Sequence, residues 1–184
     1  MVINRLMEKN QKAFTLIELL VVIAVIGLLA SVVLVAMNNS RAKARDAKRI
    51  AEKKQAVTAF NLYYNDNGKW PLTVSSFTPS SNCLASSSET CWLGSRTGLD
   101  SLVSALSPYL SSLPTNNVPS GVRAYNRLLY TDNANAGDIV AGSPAGAWLI
   151  WVQETGMTPD KCASNIISNY SDGYLYCYEF LGPP

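Results

Sequence analysis

The residues that could do chemistry in this chain are few, and the commonest catalytic residue is absent from the sequence. None of the 184 residues is histidine, so the chain lacks the usual general base, the commonest metal ligand and every Ser-His or Cys-His pair. The sequence also contains no Gly-rich phosphate-binding loop. Because no nucleophile and base can be combined, we expect a protein that is not an enzyme.

The four cysteines form a more informative pattern. All of them lie in the C-terminal part of the chain, at Cys83, Cys91, Cys162 and Cys177. None fits a Cys-x-x-Cys pair, and a zinc site would need all four thiolates at spacings unlike those of a zinc ribbon. Two disulfides are the better interpretation, and they require an oxidising, exported location. Pairing each cysteine with its neighbour in sequence is the simplest of three connectivities.

A cluster of carboxylate and amide side chains offers oxygen ligands for a cation. It consists of Asp132, Asn133, Asn135 and Asp138. The spacing does not match an EF-hand loop, and Asx residues beside glycine are commonest in ordinary turns. We therefore predict a turn and no cofactor, with Ca²⁺ binding as the less favoured alternative.

One carboxylate lies within a long apolar segment. Residues 14–37 carry a single charged side chain, Glu18. As a helix they would span about 36 Å, enough to cross a hydrocarbon core of about 30 Å. A secretory signal has a shorter apolar region and a clear small-residue cleavage site, so we expect this segment to be retained. A lone carboxylate in lipid is costly, which indicates a function for Glu18.

The charge distribution and the cysteines disagree about the orientation of this segment. Residues 1–54 hold ten basic and four acidic residues, a net +6, whereas residues 55–184 hold five basic and nine acidic residues, a net −4. Seven of the basic residues follow the segment closely, which alone would place the C-terminal part in the cytoplasm. The predicted disulfides favour export instead. We give them more weight, because a dedicated export route can override the charge rule.

The apolar segment leads into an α+β head. Residues 38–66 are rich in helix formers and carry an apolar stripe, so one helix is predicted from about Phe14 to Asp66, where Asn-Asp-Asn-Gly and Pro71 end it. Loop composition follows over residues 72–98. A short helix is then predicted at Asp100–Leu106, and antiparallel strands at 122–131, 147–153 and 173–181.

Four features occur together: Lys-Ala-Phe-Thr-Leu-Ile-Glu at residues 12–18, the apolar helix behind it, the Tyr-Tyr-Asn-Asp-Asn-Gly-Lys-Trp-Pro helix end, and a C-terminal sheet. In this combination the chain resembles type IV pilins and their pseudopilin relatives. The resemblance implies a pilin-like α+β fold in which a long N-terminal helix packs on a small antiparallel sheet. It divides the chain into a leader (1–13), a transmembrane or filament-core helix (14–37), its amphipathic continuation (38–66) and a globular head (67–184).

The resemblance also implies how the N-terminus is processed. A membrane peptidase would cut between Ala13 and Phe14, and the new amine of Phe14 would be methylated. Glu18 would then become the fifth residue of the mature chain. Two positions depart from the usual pattern, since Ala13 stands where relatives usually have Gly, and Val35 stands where many have Pro. We expect slower cleavage from the first departure and a straighter helix from the second.

This processing suggests a function for Glu18. In a staggered stack of subunits, the Glu18 carboxylate of one copy would meet the Phe14 amine of another in a low-dielectric bundle and set the axial register. The alternative is that Glu18 lies at the membrane interface without a partner. The basic run Arg41–Lys54 has three interpretations: attraction to acidic heads of neighbouring subunits, contact with lipid headgroups or nucleic acid, or a solvated helix face.

The function implied by the resemblance is structural: a pilin of a type IV pilus or a pilus-like filament. The alternatives are a major-type pseudopilin of type II secretion and a minor pilin acting in adhesion or DNA uptake. The implied partners are further copies and other pilins, prepilin peptidase, the assembly platform with its ATPase, and membrane lipid before assembly; DNA binding is less favoured. The implied location is the cytoplasmic (inner) membrane, with the N-terminus in the cytoplasm, and afterwards an extracellular or periplasmic filament.

Overall fold

The computed structural model describes residues 14–74, 80–91, 96–114, 127–139, 141–153, 166–171 and 174–184. The predicted leader at residues 1–13, including Ala13, and also Cys162 lie outside these ranges. The elements in chain order are α1 (Leu16–Asn67), β1 (Asn82–Cys83), β2 (Thr90–Cys91), β3 (Arg96–Thr97), α2 (Asp100–Leu106), β4 (Leu129–Ala134), β5 (Gly146–Gln153), β6 (Ile166–Ser171) and β7 (Tyr174–Gly182).

The chain divides into two compact units, and the boundary between Ser40 and Arg41 lies inside α1. In the first unit, every described side chain from Phe14 to Ser40 is exposed. A helix that is apolar on all sides and has no protein packed against it needs an apolar environment from elsewhere. The second unit, residues 41–184, contains the rest of α1 and the head.

The head is built on a five-stranded antiparallel sheet with the strand order β1-β4-β5-β7-β6. Strands β2 and β3 form a separate antiparallel pair. The long strands β5 and β7 pair from Ala147 opposite Gly182 to Gln153 opposite Leu175. Because side chains alternate between the faces of a strand, each apolar residue of this pair is assigned to one of two cores.

One core lies between the sheet and the second part of α1. Ala56, Ala59 and Phe60 of α1 are fully buried in it. The Phe60 and Tyr130 rings are stacked with their centroids 4.3 Å apart. Further buried members of this core come from the strands and α2: Leu102, Leu106, Leu149, Trp151 and Cys177. The amphipathic stripe predicted for the helix therefore packs on the sheet.

The other core covers the opposite face of the sheet. Its buried members include Leu129, Trp148, Ile150, Tyr176 and Tyr178, together with Cys83 and Cys91. From the sequence, five aromatic residues are expected to pack in the sheet under the long helix: Trp148, Trp151, Tyr174, Tyr176 and Tyr178. The structure corrects this, because Trp151 lies under α1, whereas Trp148, Tyr176 and Tyr178 lie on the far face; the side chain of Tyr174 is not among those described. Alternation along β5 and β7 requires this division.

The residues that follow α1 are bound to the residues that follow β7. Gly68 has a φ of 67°, a left-handed conformation that glycine adopts without steric cost, and its N–H donates to Tyr64 O at 2.8 Å. Trp70 then turns back and donates from Nε1 to Pro183 O at 2.8 Å. A Cβ on Gly182 would approach the Trp70 ring to 2.8 Å, so glycine permits this contact.

The structure corrects the predicted strands in two places. The strand predicted at 122–131 begins only at Leu129 in the described residues and continues to Ala134, into the predicted turn. Asp132 is buried there and pairs with Thr73, and pairing with β5 extends to Ala134. The sequence analysis also missed β6 and the short strands β1–β3. The predicted bounds of α2, β5 and β7 agree with the structure to within one residue.

Candidate assembly site

The N-terminus of α1 carries a reciprocal set of hydrogen bonds between Thr15 and Glu18. The Glu18 N–H donates to Thr15 Oγ1 at 3.3 Å, while Glu18 Oε2 accepts from the Thr15 N–H at 2.9 Å and from the Thr15 hydroxyl at 2.7 Å. This is a capping box, in which Ser or Thr before the helix and Glu three residues later satisfy amide groups that the helix leaves unpaired. Glu18 therefore caps its own helix.

The capping box was missed in the sequence analysis, although the signal was present. Thr-Leu-Ile-Glu at residues 15–18 matches the Ser/Thr-x-x-Glu/Gln pattern immediately before an apolar run. Both bonds accepted by the carboxylate end on Oε2. Within the described residues, Oε1 has no hydrogen-bond partner, so one oxygen of this carboxylate is still available for a cation.

The apolar side chains behind this cap form a continuous exposed surface. Phe14 is 84% exposed, and the other large members of the surface are Leu16, Ile17, Leu19, Leu20, Val21, Val22, Ile23, Val25, Ile26, Leu28, Leu29, Val32, Val33, Leu34 and Met37. Among the described residues, α1 is the one helix that is long and apolar enough to cross a membrane. An exposed apolar surface of this extent indicates contact with lipid or with other protein.

The basic run after this surface contains a buried group and an exposed group, and Arg45 is half-buried between these extremes. Arg49 and Lys53 are buried, and both are paired within the chain: Arg49 Nη1 lies 2.8 Å from Asp46 Oδ1, and Lys53 Nζ lies 2.7 Å from Glu179 Oε2. For these two residues, the prediction of attraction to neighbouring subunits or of a solvated face is wrong. The exposed members of the run are Arg41, Lys43, Lys48 and Lys54, and the three interpretations stay open for them.

Lys53 connects α1 to the sheet in a second way. Its Nζ lies 4.8 Å from the centroid of the Trp151 ring, on the strand next to the one that supplies Glu179. A cation over an aromatic face is attracted by the ring quadrupole, and more strongly when the cation is desolvated. The ammonium group of Lys53 is therefore compensated by both a carboxylate and an aromatic ring.

Three of the four predicted cation ligands, Asp132, Asn135 and Asp138, have protein partners in the structure, and Asn133 is exposed. Asp132 Oδ1 accepts from the Thr73 hydroxyl at 2.5 Å. Asp138 Oδ2 accepts from the Asn135 N–H at 2.8 Å and from Asn135 Nδ2 at 3.1 Å, and the Asp138 N–H donates to Asn135 O at 3.1 Å, the hydrogen bond that closes a β-turn. In the described part of the chain, no three His, Cys, Asp or Glu residues are grouped so that they could hold a metal ion.

The predicted Cys83–Cys91 disulfide is confirmed. The two cysteines are eight residues apart and their Cα atoms are 6.1 Å apart. Their bond closes the loop that contains β1 and β2. Cys177 is also disulfide-bonded, but the predicted pairing with Cys162 involves a residue outside the described ranges and stays a prediction.

Comparison with known proteins adds to this geometry. Residues 9–34 match the family model of the prokaryotic N-terminal methylation motif. The chain is 43% identical over 65 residues to type IV major pilin protein PilE1 of Neisseria gonorrhoeae, covering 35% of this chain and 39% of that protein. It is 40% identical over 68 residues to fimbrial protein EcpC of Eikenella corrodens, covering 36% and 43%. It is 34% identical over 67 residues to type II secretion system core protein G of Dickeya chrysanthemi, covering 36% and 44%. No solved structure matches the chain.

The fold and the helix define a class of protein, in which a capped, exposed apolar helix continues into a small α+β head. Within that class, the methylation motif and the similar proteins support the type IV pilin and pseudopilin family. The chain spans less than half the length of the curated relatives it matches.

Proposed function

We propose that this protein is a structural subunit of a type IV pilus or a pilus-like filament, assembled through its N-terminal helix after removal of the leader. The observation that carries the proposal is the exposed apolar surface of α1, from Phe14 to Met37. Such a surface does not persist in water. Lipid covers it before assembly, and the helices of neighbouring copies cover it in the filament, which requires no other cofactor or substrate.

The capping box supports a specific part for Glu18 in this assembly. Oε2 accepts the hydrogen bonds at the helix start, and Oε1, which has no hydrogen-bond partner among the described residues, can accept from an ammonium group. The cut between Ala13 and Phe14 creates that ammonium group on every subunit. When one copy is staggered against another, the Phe14 amine of one meets Glu18 Oε1 of the other. Both charges lie among apolar side chains, where an unpaired charge is costly, so the pair selects one register.

The proposed function also implies a location and a set of partners for the subunit. Before assembly, the subunit lies in the cytoplasmic membrane with its N-terminus in the cytoplasm. The disulfide-bonded head lies outside the cytoplasm, where disulfides form. Prepilin peptidase removes the leader, and an assembly platform with its ATPase moves the subunit from lipid into the filament. Other pilins join through the same helix.

The decisive experiment examines the sheared filament fraction of cells that express this chain as their sole pilin. We expect filaments by electron microscopy, and intact-mass analysis should show a subunit that begins at Phe14 with one added methyl group. A strain lacking the prepilin peptidase is the control and should retain residues 1–13. The proposal is wrong if processed subunit accumulates in cells with a complete pilus machinery and no filament contains it.

A pseudopilin of type II secretion is the second candidate. The observation that favours it is the similarity to type II secretion system core protein G, which extends over 67 residues and 44% of that protein. A pseudopilin acts in a filament confined to the periplasm, so its loss blocks protein export and leaves surface pili unchanged. Deleting the gene and measuring both secreted protein and surface filaments distinguishes the two candidates.

A further inference from the structure

Two basic side chains follow the apolar part of α1 closely. Arg41 and Lys43 are exposed, and they lie four and six residues after Met37, the last large member of the exposed apolar surface. At about 1.5 Å of rise per helical residue, this is about 6 and 9 Å of helix. The headgroup region of a bilayer adds about 5–7 Å on each side of the hydrocarbon core. When the apolar segment crosses a membrane, both long side chains therefore reach the lipid headgroups.

The carboxylate nearest in sequence to these two charges is bonded elsewhere. No acidic residue lies between Glu18 and Asp46 in the sequence, and Asp46 is buried and paired with Arg49. Within the described part of the chain, no carboxylate pairs with Arg41 or Lys43. Two positive charges therefore remain at this level of the helix, and they attract an anionic partner.

The arrangement around the helix distinguishes between two kinds of anionic partner. Successive residues of an α-helix are rotated by about 100°, so Arg41 and Lys43 point to nearly opposite sides of α1. One neighbouring subunit packs against one side of a helix and would meet one of the two charges. A lipid leaflet surrounds the helix and meets both charges at a similar depth. The geometry therefore favours lipid over the acidic head of a neighbouring copy.

The proposed orientation places these charges on the side of the membrane where they need a partner. The Cys83–Cys91 disulfide requires an oxidising location for the head, and Arg41 and Lys43 lie between the apolar segment and the head. Basic residues next to a membrane span usually remain in the cytoplasm, so these two are on the less favourable side. A lipid phosphate compensates both, because a guanidinium binds phosphate with two parallel hydrogen bonds and an ammonium group binds it as a point charge.

We propose that Arg41 and Lys43 form a basic collar that binds anionic phospholipids in the membrane leaflet on the side of the head, before assembly. Phosphatidylglycerol has the required chemistry, since its phosphate gives it a net negative charge. Phosphatidylcholine carries the same phosphate together with a compensating cation. The inference rests on the proposed function for one step only, the insertion of the apolar segment in a membrane, and it does not depend on filament formation.

The test is native mass spectrometry of the full chain in detergent micelles, titrated with phosphatidylglycerol or with phosphatidylcholine of the same acyl chains. We expect the unaltered chain to bind phosphatidylglycerol more tightly. Arg41→Gln and Lys43→Gln should each weaken this binding about fivefold and leave phosphatidylcholine binding unchanged. Comparing variants with the unaltered chain removes the contribution of the basic residues in 1–13. Equal affinity of the unaltered chain for the two lipids, or unchanged binding by both variants, would overturn the proposal.

Lys54→Gln is the matched control for Lys43→Gln. Lys54 is exposed, and it follows Lys43 by eleven residues, so it lies on nearly the same side of α1 and about 16 Å farther along the helix from the apolar segment. This distance exceeds the screening length of about 8–10 Å at physiological salt. Lys54→Gln should therefore bind phosphatidylglycerol as the unaltered chain does. Equal effects of the two substitutions would show that net charge decides the binding and not position, against the proposal.

Filament yield separates lipid from a neighbouring subunit as the partner. In cells, the double variant Arg41→Gln with Lys43→Gln should not lower the sheared-filament yield per membrane-bound subunit, because these charges act before assembly. A lower yield with unaltered phosphatidylglycerol binding would assign the two residues to contacts between subunits and refute the proposal. If the unaltered chain forms no filament, the proposed function is wrong, and the lipid titration still decides whether the collar binds anionic lipid.

Discussion

Glu18 combines two properties at the scale of a single residue: a negative charge and a capping function. Glutamine can replace glutamate in a capping box, so Glu18→Gln keeps the cap and removes the charge. Thr15→Val does the opposite, since it removes the capping hydroxyl and leaves the carboxylate in place. The two substitutions therefore separate capping of one helix from pairing between two subunits.

We expect Glu18→Gln to reduce filament yield severely while membrane-bound subunit persists. Removing a charge favours the helix in lipid, but the Phe14 amine of the neighbouring copy loses its counter-charge, at about 3–5 kcal/mol for a broken buried pair. Thr15→Val should cost only about 1 kcal/mol of helix stability, the usual effect of losing a cap. The measurement is sheared-filament yield relative to total subunit. Normal yield from Glu18→Gln would show that the charge sets no register.

Asp100 gives the head a local dependence on pH. Ser87 donates to its carboxylate from the backbone N–H at 2.9 Å and from the hydroxyl at 2.5 Å. These bonds favour the ionised form and lower the pKa of Asp100 below its ordinary value of 3.8. Because the folded pKa is the lower one, the stabilisation is complete above pH 3.8 and is lost as the pH falls through the folded value.

We therefore expect Asp100→Asn to be less stable than the unaltered protein at neutral pH, and expect this difference to shrink below pH 3.8. Chemical denaturation of the full chain in detergent at a series of pH values measures it. Ser87→Ala keeps the carboxylate and removes one donor, so it should show a smaller difference with the same direction. A difference that is constant from pH 7 to pH 3 would contradict the assignment to Asp100.

At the scale of elements, the pair between Lys53 and Glu179 joins α1 to β7. Lys53 is 5% exposed and Glu179 is 21% exposed in their side chains. Breaking a buried pair leaves one uncompensated charge, whereas replacing both partners by apolar residues is often neutral. The pair therefore contributes more to the position of the second part of α1 on the sheet than to the free energy of unfolding.

A double-mutant cycle at this pair should show strong coupling. Lys53→Met should destabilise the head by about 2 kcal/mol, less than for a fully buried pair because Glu179 keeps some solvent contact. Adding Glu179→Leu should recover most of that loss. Lys48→Met is the control, since Lys48 is 54% exposed and lies 3.5 Å from Glu52, and its effect should be below about 1 kcal/mol. Guanidinium unfolding followed by tryptophan fluorescence gives the values; additive effects would exclude coupling.

Elements with strong local patterns were predictable from the sequence, and those decided by distant partners were not. The apolar and amphipathic periodicity of α1 and the aromatic alternation of β7 identify them. Residues 132–134 have turn composition, yet pairing with β5 and the buried contact between Asp132 and Thr73 make them a strand. The partner of Lys53 lies 126 residues away in sequence, which no local pattern indicates.

At the scale of the whole molecule, the Cys83–Cys91 bond ties the loop that contains β1 and β2 to a sheet whose strands come from the far end of the chain. The chain-entropy estimate for a loop of this length is about 2–3 kcal/mol. We expect Cys83→Ala with Cys91→Ala to lower the free energy of unfolding by that amount, since both cysteines are buried and alanine introduces no polar group. Chemical denaturation of the full chain measures it. An unchanged denaturation midpoint would show that loss of the disulfide does not increase the conformational entropy of this loop in the unfolded chain.

The position of β7 in the sheet has a consequence for biogenesis. This strand follows every other described strand in the chain, yet it pairs with both β5 and β6, and Trp70 holds the residue after it. The head cannot complete its sheet until β7 has been synthesised. The apolar helix, by contrast, is synthesised before the head, so in the proposed function it enters the membrane before the sheet is complete. In the export that the proposed function requires, we therefore expect the head to cross the membrane as an open chain, with its thiols accessible to oxidising enzymes, and to close only when β7 arrives.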